Sequence, residues 1–172
     1  MAVLTDSEIG IVGLCLYGTL SIIAIWRLWV HMVPYNPPVY ATRKVFHILI
    51  LIYAVFQACS QLMQFTDNQS VHKLCYSLHL LSIWCEVTAI SLVIILWSKT
   101  LLSREKTKSE IIPVVLVFDG GFLCYIGILV GELASTREGF EDFLDGSFWY
   151  RYLLLVEPLA LAFNGLGMLY YG

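Results

Sequence analysis

The sequence predicts an all-α membrane protein, a polytopic bundle of transmembrane helices. Of its 172 residues, 59% are hydrophobic and 13% are charged, whereas soluble domains average about 45–50% and about 25%. The apolar residues fall into five segments of 21 to 25 residues, and about 20 helical residues are enough to cross a bilayer. These segments are residues 9–30, 45–65, 74–98, 111–133 and 148–171.

The stretches between the apolar segments are too short to bury a core of their own. We therefore expect residues 1–172 to form a single transmembrane domain. Segment one, residues 9–30, is too long for the apolar region of a signal peptide, and Asp6 and Glu8 precede it in place of basic residues. It is predicted to be a retained first span. All five segments are predicted to be helical, because lipid cannot satisfy backbone polar groups.

The orientation follows from the distribution of lysine and arginine. Seven of the ten basic residues lie in, or at the edges of, the loops after segments one and three. Because cytosolic loops are enriched in these residues, the N-terminus is predicted to be outside or lumenal. The sequence Asn-Gln-Ser at residues 68–70 is a glycosylation sequon in a predicted outer loop, which agrees with this orientation.

The first cytosolic loop, between segments one and two, is rich in proline. Pro37, Pro38 and Tyr40 belong to a Pro-Pro-Val-Tyr sequence, which matches the ligand pattern of WW domains. This predicts a WW-domain protein as a partner. The alternative is a stiff connector that turns the chain back to the membrane, because proline favours an extended path.

Segment three carries a carboxylate, Glu86, near the middle of residues 74–98. A charged side chain at this depth costs ~3 kcal/mol on insertion scales. Cys75, His79 and Ser82 precede Glu86 at steps of four, three and four residues, so the four share one helical face. We expect this face to point into the bundle, where other polar groups can receive it.

Segments four and five contribute two further intramembrane acids, Asp119 and Glu157. Counted along the helices, these two and Glu86 fall in a slab roughly 10 Å thick that holds no lysine or arginine. The acids either join helices through hydrogen bonds, at ~1 kcal/mol or less per contact, or form a proton or cation site. Nearby polar residues that could bond to them are Tyr53, Gln57, His79, Tyr125 and Asn164. His79 is interpreted as an interfacial hydrogen-bonding residue or as a pH sensor.

Small residues and proline mark the packing of segments four and five. Gly127 and Gly131 have the spacing that lets two helices approach closely, and Pro158 is predicted to kink segment five. The five cysteines lack the spacing of metal or redox motifs and are interpreted as small buried residues. No metal site and no cofactor are predicted.

Two stretches resemble a known family. Residues 43–47, Arg-Lys-Val-Phe-His, lead into segment two, and residues 94–97, Ile-Ile-Leu-Trp, close segment three before a basic loop. They resemble the domain of the plant tobamovirus multiplication proteins and, more distantly, the animal orphan-receptor-like lysosomal membrane proteins. This resemblance implies a seven-span, receptor-like topology, a vacuolar or lysosomal membrane, and binding of small GTPases of the ADP-ribosylation-factor-like class.

The sequence also departs from that family. Leu80, Ser82 and Lys99 stand where the family has an acid, a proline and a glutamate. Five spans are present where seven are expected, so we expect the chain to be a truncated product.

Three functions are compatible with these features. The first is a non-enzymatic scaffold whose second cytosolic loop recruits a small GTPase through basic residues. Those residues are Lys99, Arg104, Lys106 and Lys108. The same charges could serve only to set the topology. The alternatives are a proton- or cation-coupled transporter, which would use the three acids, and a seven-span receptor. The absence of catalytic motifs argues against an enzyme. The basic residues are few and tied to the topology, which argues against nucleic-acid binding.

Overall fold

The computed structural model describes residues 6–32, 41–101, 107–136, 143–144 and 146–171. Within this part of the chain the architecture is all-helical, which confirms the predicted fold class. The five long helices are α1 (Asp6–Met32), α2 (Ala41–Ser60), α3 (Gln69–Leu101), α4 (Ile112–Ser135) and α5 (Phe148–Tyr171). A 3₁₀ turn, Gln61–Phe65, follows α2, and a π turn, Thr107–Ile111, leads into α4.

Four of these helices are long and apolar enough to cross a membrane, so the chain is an integral membrane protein. The candidate spans are Ser7–Val30, Lys44–Met63, Gln69–Lys99 and Ile112–Ser135. Helix α5 has 24 residues, and it is not among the four spans found in the described residues. A fifth span, the seven-span topology and the orientation stay predictions.

Helix α3 is the centre of the bundle. It packs against α2 on one side and against α4 and α5 on the other, while α1 packs on α2 and on the 3₁₀ turn. Half of the most apolar window of α3 is buried, against 11% for α1 and 22% each for α2 and α4. At 33 residues, α3 is about 50 Å long, so it is long enough to extend past a hydrocarbon core of about 30 Å.

Two apolar clusters hold α3 to its neighbours. The larger joins α3 to α4 and α5, and the smaller joins it to α2. The larger cluster includes Leu80, Val87, Ile126, Leu129, Leu133 and Leu153, and the smaller consists of Leu49, Cys85 and Ala89. In lipid, these clusters stabilise the bundle through close packing, because lipid tails are as apolar as leucine.

Polar contacts tie together the end of the bundle where α3 begins. Lys73 Nζ donates to the carbonyl of Thr136, just after α4, where a cation also complements the helix dipole. Ser147 Oγ, just before α5, donates to Glu132 Oε2 at 2.6 Å and accepts from the Tyr150 N–H at 3.0 Å. The start of α3, the end of α4 and the start of α5 therefore lie together at this end of the bundle.

Asn68 caps the start of α3. Its Oδ1 accepts from the Ser70 N–H at 2.9 Å, and its backbone carbonyl accepts from the His72 N–H at 3.0 Å. The first bond satisfies one of the amide groups that a helix leaves without partners at its N-terminus, and the second is the first backbone bond of the helix. The asparagine of the sequon is thus part of the folded start of α3.

The glycines pack differently from expectation. Gly127 and Gly131 lie on an exposed face of α4, and no atom from elsewhere in the described chain comes within 4 Å of a Cβ placed on either. The close helix approach predicted there is therefore not made by the residues that the structure describes. By contrast, Gly13 of α1 lies close to the side chain of Gln61. A Cβ at position 13 would be 2.7 Å from Cδ of Gln61.

Candidate functional site

Three polar side chains meet where α3, α4 and α5 pack together. Ser91 Oγ lies 3.0 Å from Asp119 Oδ1 and 3.2 Å from Asn164 Oδ1. Asn164 Nδ2 in turn donates to the carbonyl of Val87 at 3.5 Å, one turn back along α3. Ser91 and Asn164 are buried, and the contacts connect one side chain from each of the three helices. We call Ser91, Asp119 and Asn164 the polar junction.

The number of hydrogen-bond donors in the polar junction determines which of its groups can bond to one another. The Asn164 amide nitrogen faces the Val87 carbonyl, so the amide oxygen faces Ser91. Ser91 then has one hydroxyl proton and two oxygen neighbours. An amide or a protonated carboxyl at position 119 would supply a second donor and complete the chain of hydrogen bonds. The junction therefore joins three helices without any counter-ion.

Asp119 is bound to one face of α3. The indole Nε1 of Trp84 donates to the backbone carbonyl of Asp119 at 3.3 Å. Trp84 precedes Ser91 by seven residues, or two helical turns, so the two residues lie on the same face of α3. Sequence reasoning identified Asp119 and Asn164 but missed Ser91 and Trp84. The only sequence signal for Ser91 was a hydroxyl in an apolar run, and helices commonly accommodate serine by local hydrogen bonding.

Glu86 lies apart from the polar junction. It lines a groove of about 350 Å³ between α2 and α3 and is half-buried. Within the described part of the chain, its carboxylate makes no hydrogen bond and no ion pair. Tyr53 of α2 lines the same groove. Glu86 is therefore separate from Asp119, which is held by Ser91.

His79 joins α3 to α2. Its Nδ1 lies 3.3 Å from Oε1 of the buried Gln57, which also accepts from Ser60 Oγ at 3.2 Å. Ser82 Oγ donates to the His79 carbonyl at 2.6 Å, so this hydroxyl is satisfied within α3. The contacts of His79 fit the hydrogen-bonding interpretation, with Gln57 rather than an acid as the partner.

The basic loop between α3 and α4 is closed by a hydrogen bond. Thr107 Oγ1 donates to the carbonyl of Ser98 at 3.2 Å, and both residues are buried. Lys99 is exposed at the end of α3, and Lys108 follows Thr107 in the π turn. The backbones that carry these two lysines are therefore held close together.

Several residues of the predicted partner-binding sites lie outside the part of the chain that the structure describes. The candidate residues outside the described part of the chain are Pro37, Pro38, Tyr40, Arg104 and Lys106. The WW-ligand interpretation of the first loop therefore stays a prediction.

Among the described residues, no three histidine, cysteine, aspartate or glutamate side chains converge so that they could hold a metal ion.

Neither a protein-family model, nor a curated protein, nor a solved structure matches this sequence. The resemblance to the tobamovirus multiplication proteins therefore stays a prediction. The fold and the site define a helical integral membrane protein in which α3 carries polar contacts to its neighbours on both sides.

Proposed function

We propose that the protein is a non-enzymatic membrane scaffold that recruits a cytosolic small GTPase to an endomembrane. In this proposal the N-terminus is outside or lumenal, and the loop between α3 and α4 faces the cytosol. The GTPase class, ADP-ribosylation-factor-like, and the vacuolar or lysosomal membrane come from the resemblance at residues 43–47 and 94–97. The structure supports the proposal through the geometry of the basic loop.

The closure of that loop carries the proposal. The hydrogen bond from Thr107 to the Ser98 carbonyl holds the start of the π turn close to the end of α3. The backbones of Lys99 and Lys108, at the two ends of the loop, are thereby held near the end of α3. Basic residues whose backbone is already fixed lose less entropy on binding an acidic partner, and their charge steers association.

The alternative, that these charges only set the topology, makes a different prediction about Thr107. Topology depends on the number of lysines and arginines near a span. It does not depend on whether the loop is tied to the end of α3. A variant that opens the loop without changing its charge therefore separates the two explanations.

A transporter has less support. Asp119 is bound to Ser91 and Trp84, whereas Glu86 lines a groove against α2. The structure thus divides the acids between different surroundings, and a transport pathway that uses both Glu86 and Asp119 would have to connect them.

The test is recovery of a purified ADP-ribosylation-factor-like GTPase by the full chain in nanodiscs, with the GTPase loaded with GTP or GDP. We expect GTP-dependent recovery by the wild type. We expect at least about a tenfold loss, equivalent to 1.4 kcal/mol, in the double variant Lys99→Glu/Lys108→Glu. Thr107→Val should lower recovery severalfold, because the loop loses its tie to Ser98 while keeping its charge.

Arg27→Glu is the matched control. Arg27 is an exposed basic residue of α1 outside the loop, and on the predicted topology it lies on the same side of the membrane. It should bind as the wild type does. Equal recovery of the two nucleotide states, or equal recovery by the wild type and the Lys99→Glu/Lys108→Glu variant, would overturn the proposal.

A further inference from the structure

We propose that the groove between α2 and α3 is a binding site for a small organic cation, an ammonium group that carries an apolar substituent. The site is independent of the proposed function, because it lies on the face of α3 that carries Glu86, well before the basic loop at the end of that helix. We call it the Glu86 groove. Its lining combines one carboxylate, two aromatic rings and aliphatic side chains.

The carboxylate is the first part of the argument. Glu86 lies near the middle of the span Gln69–Lys99, where an ionised acid facing lipid is costly. Within the described residues it has no hydrogen bond and no ion pair, and no lysine, arginine or histidine lines the groove. A positively charged occupant would supply the counter-charge that these residues do not.

The aromatic rings are the second part. Phe46 and Tyr53 of α2 line the groove together with Glu86 of α3. Tyr53 also packs against Tyr17 of α1, with the two rings nearly perpendicular and their centroids 6.0 Å apart. Aromatic faces next to a carboxylate bind quaternary and alkyl ammonium groups well. A metal ion fits less well, because hard cations require several oxygen ligands.

The size and the remaining walls set the substituent. A volume of about 350 Å³ is at the small end of the range for ligand pockets, ~300–1,000 Å³. Ile50, Ile90 and Val93 complete an aliphatic wall. The groove therefore fits a single ring or a short chain attached to the cation, and it is too small for a whole phospholipid.

The test is equilibrium binding of radiolabelled benzyltrimethylammonium to the full chain in nanodiscs of zwitterionic lipid. Empty nanodiscs give the background from partitioning. We expect saturable binding with one site per chain. Neopentylbenzene has the same shape without the charge, and it should compete at least about tenfold more weakly.

Variants assign the binding to the groove. Glu86→Gln should weaken binding at least about tenfold, and Phe46→Leu about threefold, because each removes one of the two attractions for the cation. Asp119→Asn is the matched control, since it neutralises another intramembrane acid that does not line the groove, and its binding should equal that of the wild type. Glu86→Asp keeps the charge but withdraws it by one methylene group, so it should retain saturable binding that is severalfold weaker than that of the wild type. It serves as a second variant if Glu86→Gln does not fold.

Three results would overturn the proposal. The first is binding that does not saturate above the level of empty nanodiscs. The second is an affinity for the cation that equals or exceeds that of the wild type, either in folded Glu86→Gln or in both of the single variants Phe46→Leu and Glu86→Asp. The third is competition by neopentylbenzene as strong as that by the cation, which would make the groove a site for apolar molecules alone.

Discussion

Ser91 has one hydroxyl proton and two oxygen neighbours, Asp119 Oδ1 and Asn164 Oδ1. Its surroundings show how an acid can be placed inside a membrane protein without a basic residue beside it. The requirement is a sufficient number of donors rather than an opposite charge. An amide at position 119 meets this requirement as well as a carboxylic acid does, because its NH₂ group can donate to Ser91.

This gives a prediction for two substitutions of Asp119. Asp119→Asn should change the free energy of unfolding by less than about 0.5 kcal/mol, whereas Asp119→Leu should lower it by about 1 kcal/mol, a typical value for a hydrogen bond between membrane helices. The measurement is reversible unfolding in mixed micelles. Equal stability of the two variants would show that the bond from Ser91 to Asp119 contributes nothing.

At the scale of single elements, the sequence was sufficient to predict the helices. Each apolar segment lies within a helix or within a helix and its adjoining turn, because a chain in lipid has few other ways to satisfy its backbone. The ends were less predictable. Helix α3 begins at Gln69 and ends at Leu101, beyond the predicted range 74–98 on both sides, since polar residues can continue a helix outside the hydrocarbon core.

The contacts between elements could be predicted only in part. The depths of Glu86, Asp119 and Glu157 follow from counting residues along each helix. Their partners do not, because these depend on how each helix is rotated about its own axis. The face of α3 that carries Glu86 is directed to α2 at His79 and at the groove. The face that carries Trp84 and Ser91 receives Asp119.

The packing of α1 provides a prediction at this scale. Gly13 is close to the side chain of Gln61 in the 3₁₀ turn, whereas a Cβ on Gly18 of the same helix would meet nothing within 4 Å. Gly13→Leu should therefore lower the free energy of unfolding by about 1–3 kcal/mol, as overpacked sites do. Gly13→Ala should cost less, since the end of the Gln61 side chain can rotate away.

The control for this prediction is Gly18→Leu, which should leave stability close to that of the wild type. Thermal unfolding of the three variants in one detergent provides the measurement. If Gly13→Leu and Gly18→Leu unfold at the same temperature, α1 does not pack on the 3₁₀ turn in the way described.

At the scale of the whole molecule, α3 connects two sets of neighbours. Helices α1 and α2 are on one side of it, and α4 and α5 are on the other. The polar junction and the larger apolar cluster belong to the second side, while His79 and the Glu86 groove belong to the first. A change in the tilt of α3 would therefore alter both sides together.

The orientation of the molecule is predicted from its basic residues, and exposed positions at the two ends of α3 can test it. Asp67 and Lys99 are both exposed. We expect Asp67→Cys to react with a membrane-impermeant maleimide from the outer or lumenal side. Lys99→Cys should react only from the cytosolic side, with the native cysteines measured as the background in the unaltered chain. The reverse pattern would show that the basic loop does not face the cytosol.

The cap at Asn68 has a consequence for the biosynthesis of the protein. Oligosaccharyl transfer requires the asparagine of a sequon to enter the active site of the transferase in an extended segment. Here that asparagine accepts from the Ser70 N–H, and its carbonyl begins the hydrogen bonds of α3. A glycan would therefore have to be attached before the first turn of α3 closes. If the predicted orientation holds, the fraction of molecules that carry a glycan at Asn68 would then report how quickly that end of the helix folds.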